Sequence, residues 1–170
     1  MFRNFCFEVS TCHACIARFL TVRTGIFIND ITGYDINRMS VDRGKEVYKN
    51  VADKLVVKDV SGFIEEEEKY DVILASDIIS YVGSPNDTIG NISKMLKKDG
   101  VCYLNSVVID SDKFIQDPRG YPPVGNGEHI TLFTSDGLKK LLTDNGLVTE
   151  KYGEWDNNEE EMIFWKCRKE

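Results

Sequence analysis

After residue 30 the chain alternates short apolar runs rich in β-branched residues with longer amphipathic stretches, and few folds accept that pattern. Segments of strand period and helix period taken in turn bury each other when the strands run parallel and helices cross over between them. The fold class is therefore α/β, a doubly wound and mostly parallel sheet. The spacing predicts strands at Cys6 to Val9, Ile31 to Asp35, Leu55 to Asp59, Asp71 to Ala75 and Val101 to Ile109. Helices are expected from His13 to Thr24, stopped by Gly25, and from Arg38 to Val51. A third, Pro85 to Lys98, has the clearest ends. Ser84 stands at its N-cap, Pro85 at the first helical position and Asp87 in the first turn, while Lys97 and Lys98 close it before Gly100. Its apolar side is Ile89, Ile92 and Leu96.

The last third reads differently. Asp110 to Glu128 holds three of the four prolines and three glycines, so it forms no regular element and is a long loop. Thr134 or Ser135 then caps a helix to about Asp144, with Leu138, Leu141 and Leu142 on one face and Gly146 as its stop. Leu147 to Tyr152 and Met162 to Arg168 follow with no helix between them, which predicts an antiparallel hairpin closing one edge of the sheet. Asp156 to Glu161 is its solvated turn. With 170 residues, no internal repeat and no linker, residues 1 to 170 read as a single domain.

Charge narrows the function. The net charge of −7 leaves no basic arm to neutralise phosphates, so neither general nucleic-acid binding nor docking to an anionic membrane is expected. No apolar run reaches the roughly 18 residues of a membrane-spanning helix. Glu8, Ser10, Thr11 and His13 interrupt any secretory apolar core, and five irregularly spaced cysteines fit reduced thiols. The expected location is cytoplasmic.

In a doubly wound sheet ligands bind outside the carboxyl ends of the strands, near the point where strand order reverses. Asp35 closes the run Ile-Thr-Gly-Tyr-Asp, where a carboxylate can accept both hydroxyls of a ribose. Asp59 closes Leu-Val-Val-Lys-Asp, where it can receive an exocyclic amine. Each also reads as an ordinary strand-end turn residue.

Lys69-Tyr-Asp-Val-Ile-Leu-Ala-Ser-Asp-Ile-Ile-Ser-Tyr-Val82, Lys94-Met-Leu-Lys-Lys-Asp-Gly-Val-Cys-Tyr-Leu104 and Glu128-His-Ile-Thr-Leu-Phe-Thr134 join these aspartates in an informative order. Together they resemble the class I S-adenosylmethionine-dependent methyltransferases, particularly the small-molecule branch, over residues 6 to 168. The resemblance implies a Rossmann-like methyltransferase fold, S-adenosylmethionine as cofactor and S-adenosylhomocysteine as product. It places ribose at Asp35, adenine between Ile36 and Val60 with Asp59 at its amine, and the methionine part near Glu8, Ser10 and Ser76. The glycine-rich loop of the family would fall on Glu8 to Cys15, with Ser10, Cys12 and Ala14 at the glycine positions. All three are small, but any Cβ restricts positive φ and the approach of the backbone to a ligand. His129 is the implied base for a substrate hydroxyl or amine, within a lid at residues 111 to 130, and Tyr81 is implied to line the methyl-transfer site. His129 also reads as a structural histidine bonded to a loop carbonyl.

About five residues precede the first strand, where the family has covering helices, so the expectation is either that the natural protein is truncated here or that a homo- or hetero-oligomeric partner covers that end. The leading function is methyl transfer to a small-molecule acceptor. The competing one is a methyltransferase-like binding or regulatory subunit with little or no turnover, in keeping with the altered loop. A nicotinamide-dependent oxidoreductase fits poorly because no Gly-x-Gly-x-x-Gly follows any expected strand. Cys12-His-Ala-Cys15 lacks a second ligand pair, so no metal is expected and the thiols are read as small packing residues. Glu65 to Glu68 and Glu159 to Glu161 are solvated charge runs.

Overall fold

Strand pairing decides where this chain can hold a ligand. The computed structural model describes residues 4–8, 30–47, 49, 54–62, 69–109, 131–156 and 161–169. Their strands are β1 (Asn4–Glu8), β2 (Asp30–Asp35), β3 (Lys54–Val57), β4 (Tyr70–Ser76), β5 (Leu96–Val108), β6 (Leu147–Asp156) and β7 (Glu161–Lys169). The helices among the described residues are α1 (Arg38–Val47), α2 (Pro85–Met95) and α3 (Ser135–Asp144). The strands form a seven-stranded sheet in the order β3-β2-β1-β4-β5-β7-β6. The first five in that order run parallel, and β7 runs antiparallel to both β5 and β6. The expected α/β class, doubly wound sheet and closing antiparallel hairpin are all present. From β1 the chain builds outward through β2 and β3 on one side, and from β4 through β5 on the other. The β1/β4 boundary is therefore the switch point.

The core lies under β4, β5 and β7. Ile73 and Ala75 of β4, Cys102 and Leu104 of β5, and Ile163 and Trp165 of β7 are buried together with Ile89 and Ile92 of α2 and Leu138 and Leu142 of α3. The apolar faces expected for α2 and α3 are thus the faces that pack. Asn37 caps α1, its Oδ1 accepting the Met39 N–H at 2.9 Å. Thr134 caps α3, accepting the Gly137 N–H at 3.0 Å, and Gly146 ends it at φ 75°.

Several boundaries differ from the sequence reading. α1 ends at Val47 rather than Val51. α2 ends at Met95, three residues before Lys98. Leu96, 1% exposed, pairs with Tyr70, and the register then jumps to Val72 opposite Val101, so that Lys97 to Gly100 bulge out of β5. Burying Leu96 in the sheet overrides the helix-closing signal of two lysines, and Lys97 instead reaches Asp71 Oδ2 at 2.9 Å. Gly100 stands there for space, since a Cβ would come within 2.9 Å of Leu96 Cδ1 and of the Tyr70 carbonyl oxygen. Ser84 holds the N-cap position, but its hydroxyl donates to Asp87 Oδ2 at 2.6 Å and makes no capping bond. Cys102 and Cys167, which have no evident relation in sequence, lie directly opposite each other across β5 and β7 and are both buried.

Candidate functional site

The carboxyl ends of β2, β3 and β4 converge on one cleft of about 160 Å³, lined by Tyr34, Asp35, Ile36, Lys58, Asp59, Val60, Ile78, Tyr81, Val82 and Gly83. Parallel pairing brings them together. Asp35 stands opposite Val57, and the Lys58 N–H continues the ladder to the Asp35 carbonyl oxygen at 2.9 Å, so Asp59 follows two residues past the end of β3, which the sequence reading runs on to Asp59 itself.

Each aspartate is oriented by the backbone that follows it. Asp35 Oδ1 accepts the Asn37 N–H at 2.7 Å. Asp59 Oδ1 accepts the Ser61 N–H at 2.8 Å and the Ser61 hydroxyl at 2.7 Å. With one oxygen committed to the turn, the second oxygen of each carboxylate remains an acceptor for a ligand. Ile36 is 72% exposed beside Asp35, an aliphatic surface left for a flat apolar partner to cover. Tyr34, itself part of the lining, shares a hydrogen bond between hydroxyls with Tyr70 at 2.8 Å, which satisfies two buried polar groups.

The third wall is the loop after β4. Ile79 is fully buried and the Ser80 hydroxyl meets that of Ser106 at 2.9 Å. Ser80 also accepts the Thr131 N–H at 2.8 Å. Anchored in this way, the loop carries Tyr81 at the mouth of the cleft, 57% exposed. Its first residue, Asp77, has φ 55°, the sole non-glycine with positive φ among the described residues, and its N–H bonds the Asn105 carbonyl at 3.0 Å.

Of the site residues expected from sequence, Asp35, Ile36, Asp59, Val60 and Tyr81 line this one cleft. Ser76 ends β4 but is not among its lining residues. Glu8 ends β1 opposite Tyr34, one residue before Asp35. Ser10, Cys12, Ala14 and His129, with Cys15 and the 111–130 segment, lie outside the described residues. Sequence reasoning missed Tyr34, Lys58, Ile78, Val82 and Gly83. A usable signal was present for most of them, because they directly flank the ends of β2, β3 and β4, where a doubly wound sheet exposes its ligand site.

No curated protein matches the sequence significantly. Among solved structures, the [4+2]-cyclase SpnF is similar over 99% of this chain and 74% of its own, with TM-score 0.76 and 12% identity. An S-adenosylmethionine-dependent methyltransferase from Clostridium acetobutylicum is similar over 99% of this chain and 85% of its own, with TM-score 0.72 and 13% identity. The N-methyltransferase NodS from Bradyrhizobium japonicum, solved with S-adenosylhomocysteine, is similar over 99% and 79%, with TM-score 0.70 and 14% identity. At such identities these likenesses speak for the fold. The model of the methyltransferase domain matches residues 16–152, most of the chain, and the chain belongs to that family, as the order of its strand-end residues led one to expect.

Proposed function

We propose that the protein binds S-adenosylmethionine in the cleft at the ends of β2, β3 and β4 and transfers its methyl group to a small-molecule acceptor. The observation that carries this reading is the pair of carboxylates, Asp35 and Asp59, at the ends of adjacent strands in one cleft with Ile36 and Val60. Their chemistry fits the group: a carboxylate for vicinal hydroxyls, a second for an exocyclic amine, and aliphatic surfaces for the two faces of a purine.

When bound, the cofactor supplies a sulfonium, whose methyl carbon is open to in-line attack with a neutral thioether as leaving group. The chain is left with alignment and exclusion of water as its main tasks. In this reading Asp35 and Asp59 hold the nucleoside end, the methionine end is assigned to Glu8, Ser10 and Ser76, and Cys12 and Ala14 belong to the cofactor loop. Tyr81 borders the transfer site from the anchored loop after β4. His129 is assigned as the base that removes the acceptor proton. The irregular spacing of the five cysteines supports a cytoplasmic location. Among the described residues, no helix is long and apolar enough to cross a membrane.

Calorimetric titration with S-adenosylmethionine and S-adenosylhomocysteine tests the binding half, with micromolar affinity expected; no binding of either would reject the assignment. The likeness to a cyclase makes turnover a separate measurement, because one fold hosts several chemistries. Methyl transfer from labelled cofactor to a panel of small hydroxyl and amine acceptors reads it, and binding without transfer to any of them would favour a regulatory subunit.

A further inference from the structure

Asn91, in the middle of α2, is a buried polar residue, 8% exposed, and lies outside the cleft lining. Its Nδ2 donates to the Val60 carbonyl at 2.8 Å and to the Gly62 carbonyl at 2.6 Å. Both amide protons are thus committed to two acceptors of one turn, which also fixes which side-chain atom is the nitrogen, since only N–H donates to a carbonyl. That turn bears Asp59 and Val60 on the cleft. The Gly62 N–H closes it onto the Asp59 carbonyl at 3.2 Å, and the Ser61 N–H and hydroxyl hold the Asp59 carboxylate. The turn is therefore tied to itself on one side and clamped to a packed helix on the other. α2 is well suited to be the fixed body, because Ile89 and Ile92, its neighbours on either side of Asn91, are core residues.

A carboxylate distinguishes an amine from a carbonyl only if it is held in place. Against an exocyclic amine it accepts a hydrogen bond; against a carbonyl oxygen it faces a like partial charge. A turn free to swing would lose the first contact and escape the second, so selectivity falls from both directions. We propose that Asn91 is a positioning residue for purine selection: by clamping the turn at 60–62 to α2 it keeps Asp59 where it favours an adenine cofactor over its hypoxanthine counterpart. The inference rests on the cofactor reading of the same cleft.

The test measures binding of S-adenosylhomocysteine and of S-inosylhomocysteine, its deaminated counterpart, to the wild-type protein and to Asn91→Ala, Asn91→Asp and Ile89→Val. The wild-type preference for the adenine compound should be about 100-fold, the scale of one hydrogen bond lost to a charged acceptor. In the Asn91 variants it should shrink to about 10-fold or less, with adenine-compound affinity also reduced. Ile89→Val trims the same helix in the core while leaving both Asn91 hydrogen bonds to the turn, and it should keep the wild-type preference even if it melts earlier. Ser61→Ala, which removes one of two donors to Asp59, should lower the preference in part and serves where a buried Asn91 change fails to fold. A folded Asn91 or Ser61 variant with the full wild-type preference overturns the clamp. Wild-type protein that binds neither compound overturns the cofactor reading itself, a different and separable failure.

Discussion

Asp35→Asn separates two tasks of one side chain. Oδ1 of Asp35 accepts the Asn37 N–H at 2.7 Å, and Asn37 in turn caps α1, so the carboxylate leads the chain out of β2 and into the helix. Asparagine can present a carbonyl oxygen in the same place and keep that turn. What it cannot keep is the charge, or an acceptor at the position of Oδ2. A hydrogen bond to a charged acceptor contributes about 1.5 to 3 kcal/mol, and losing one of that size weakens S-adenosylhomocysteine binding by about 10- to 150-fold. Apo stability should change by no more than about 0.5 kcal/mol, since the turn survives and the side chain is only half-buried. Asp35→Ala loses the turn as well, and its apo melting point should fall below that of Asp35→Asn. Calorimetry with S-adenosylhomocysteine and thermal melts of the unliganded proteins measure the two effects independently. Affinity within threefold or so of wild type in folded Asp35→Asn would mean that the carboxylate serves the turn alone and that the ribose assignment is wrong.

Other consequences follow from packing. Gly100→Ala places a methyl group against the buried Leu96 side chain and the Tyr70 backbone, so it should destabilise by about 1 to 2 kcal/mol despite stiffening the unfolded chain, as read by urea midpoint. A midpoint at or above that of wild type would show that the bulge has room. The Thr149 hydroxyl is buried with no hydrogen-bond partner among the described residues, and Thr149→Val should stabilise by about 1 kcal/mol; a loss of stability would reveal an undetected donor or acceptor there. Burial pushes the Cys167 thiol up to about 12 from its usual 9.0. The folded value lies above the unfolded one, so this contribution to stability is intact below pH 9.0 and is lost as pH rises toward about 12. Cys167→Val should therefore gain on wild type only above that lower limit, and a difference that stays flat throughout would remove burial as the cause.

The parallel sheet, the closing hairpin and the packed faces of α2 and α3 were legible because each rests on a local period: alternation along strands, and every third or fourth residue along helices. Asp35 and Asp59 were legible for a similar reason, as polar punctuation at the end of apolar runs. Leu96 was not. Its sequence neighbours, Lys97, Lys98 and Gly100, spell the end of a helix, and only the partner strand at Tyr70 makes a bulge the better use of them. Cys102 and Cys167 are 65 positions apart, and nothing but the β5–β7 register sets them face to face. Asn91 escaped notice for another reason. On a helix an asparagine usually reads as a solvent-facing residue, whereas here a turn 29 to 31 residues earlier supplies the two carbonyls that justify its burial.

The position of β7 bears on how the molecule comes together in time. It is later in the chain than both β5 and β6, yet it lies between them, so neither neighbour finds its sheet partner on that side until β7 exists. The centre repeats the situation: β1 pairs with β2 and also with β4, more than sixty residues downstream. A ribosome extruding this chain from its amino end therefore releases strands whose neighbours have not been made, and the sheet is completed late and over long sequence separations, a slow route. Until then the apolar strands β4 and β5 stand exposed. Production at lower temperature or with chaperones should accordingly raise the soluble yield more than any single stabilising substitution at the cleft.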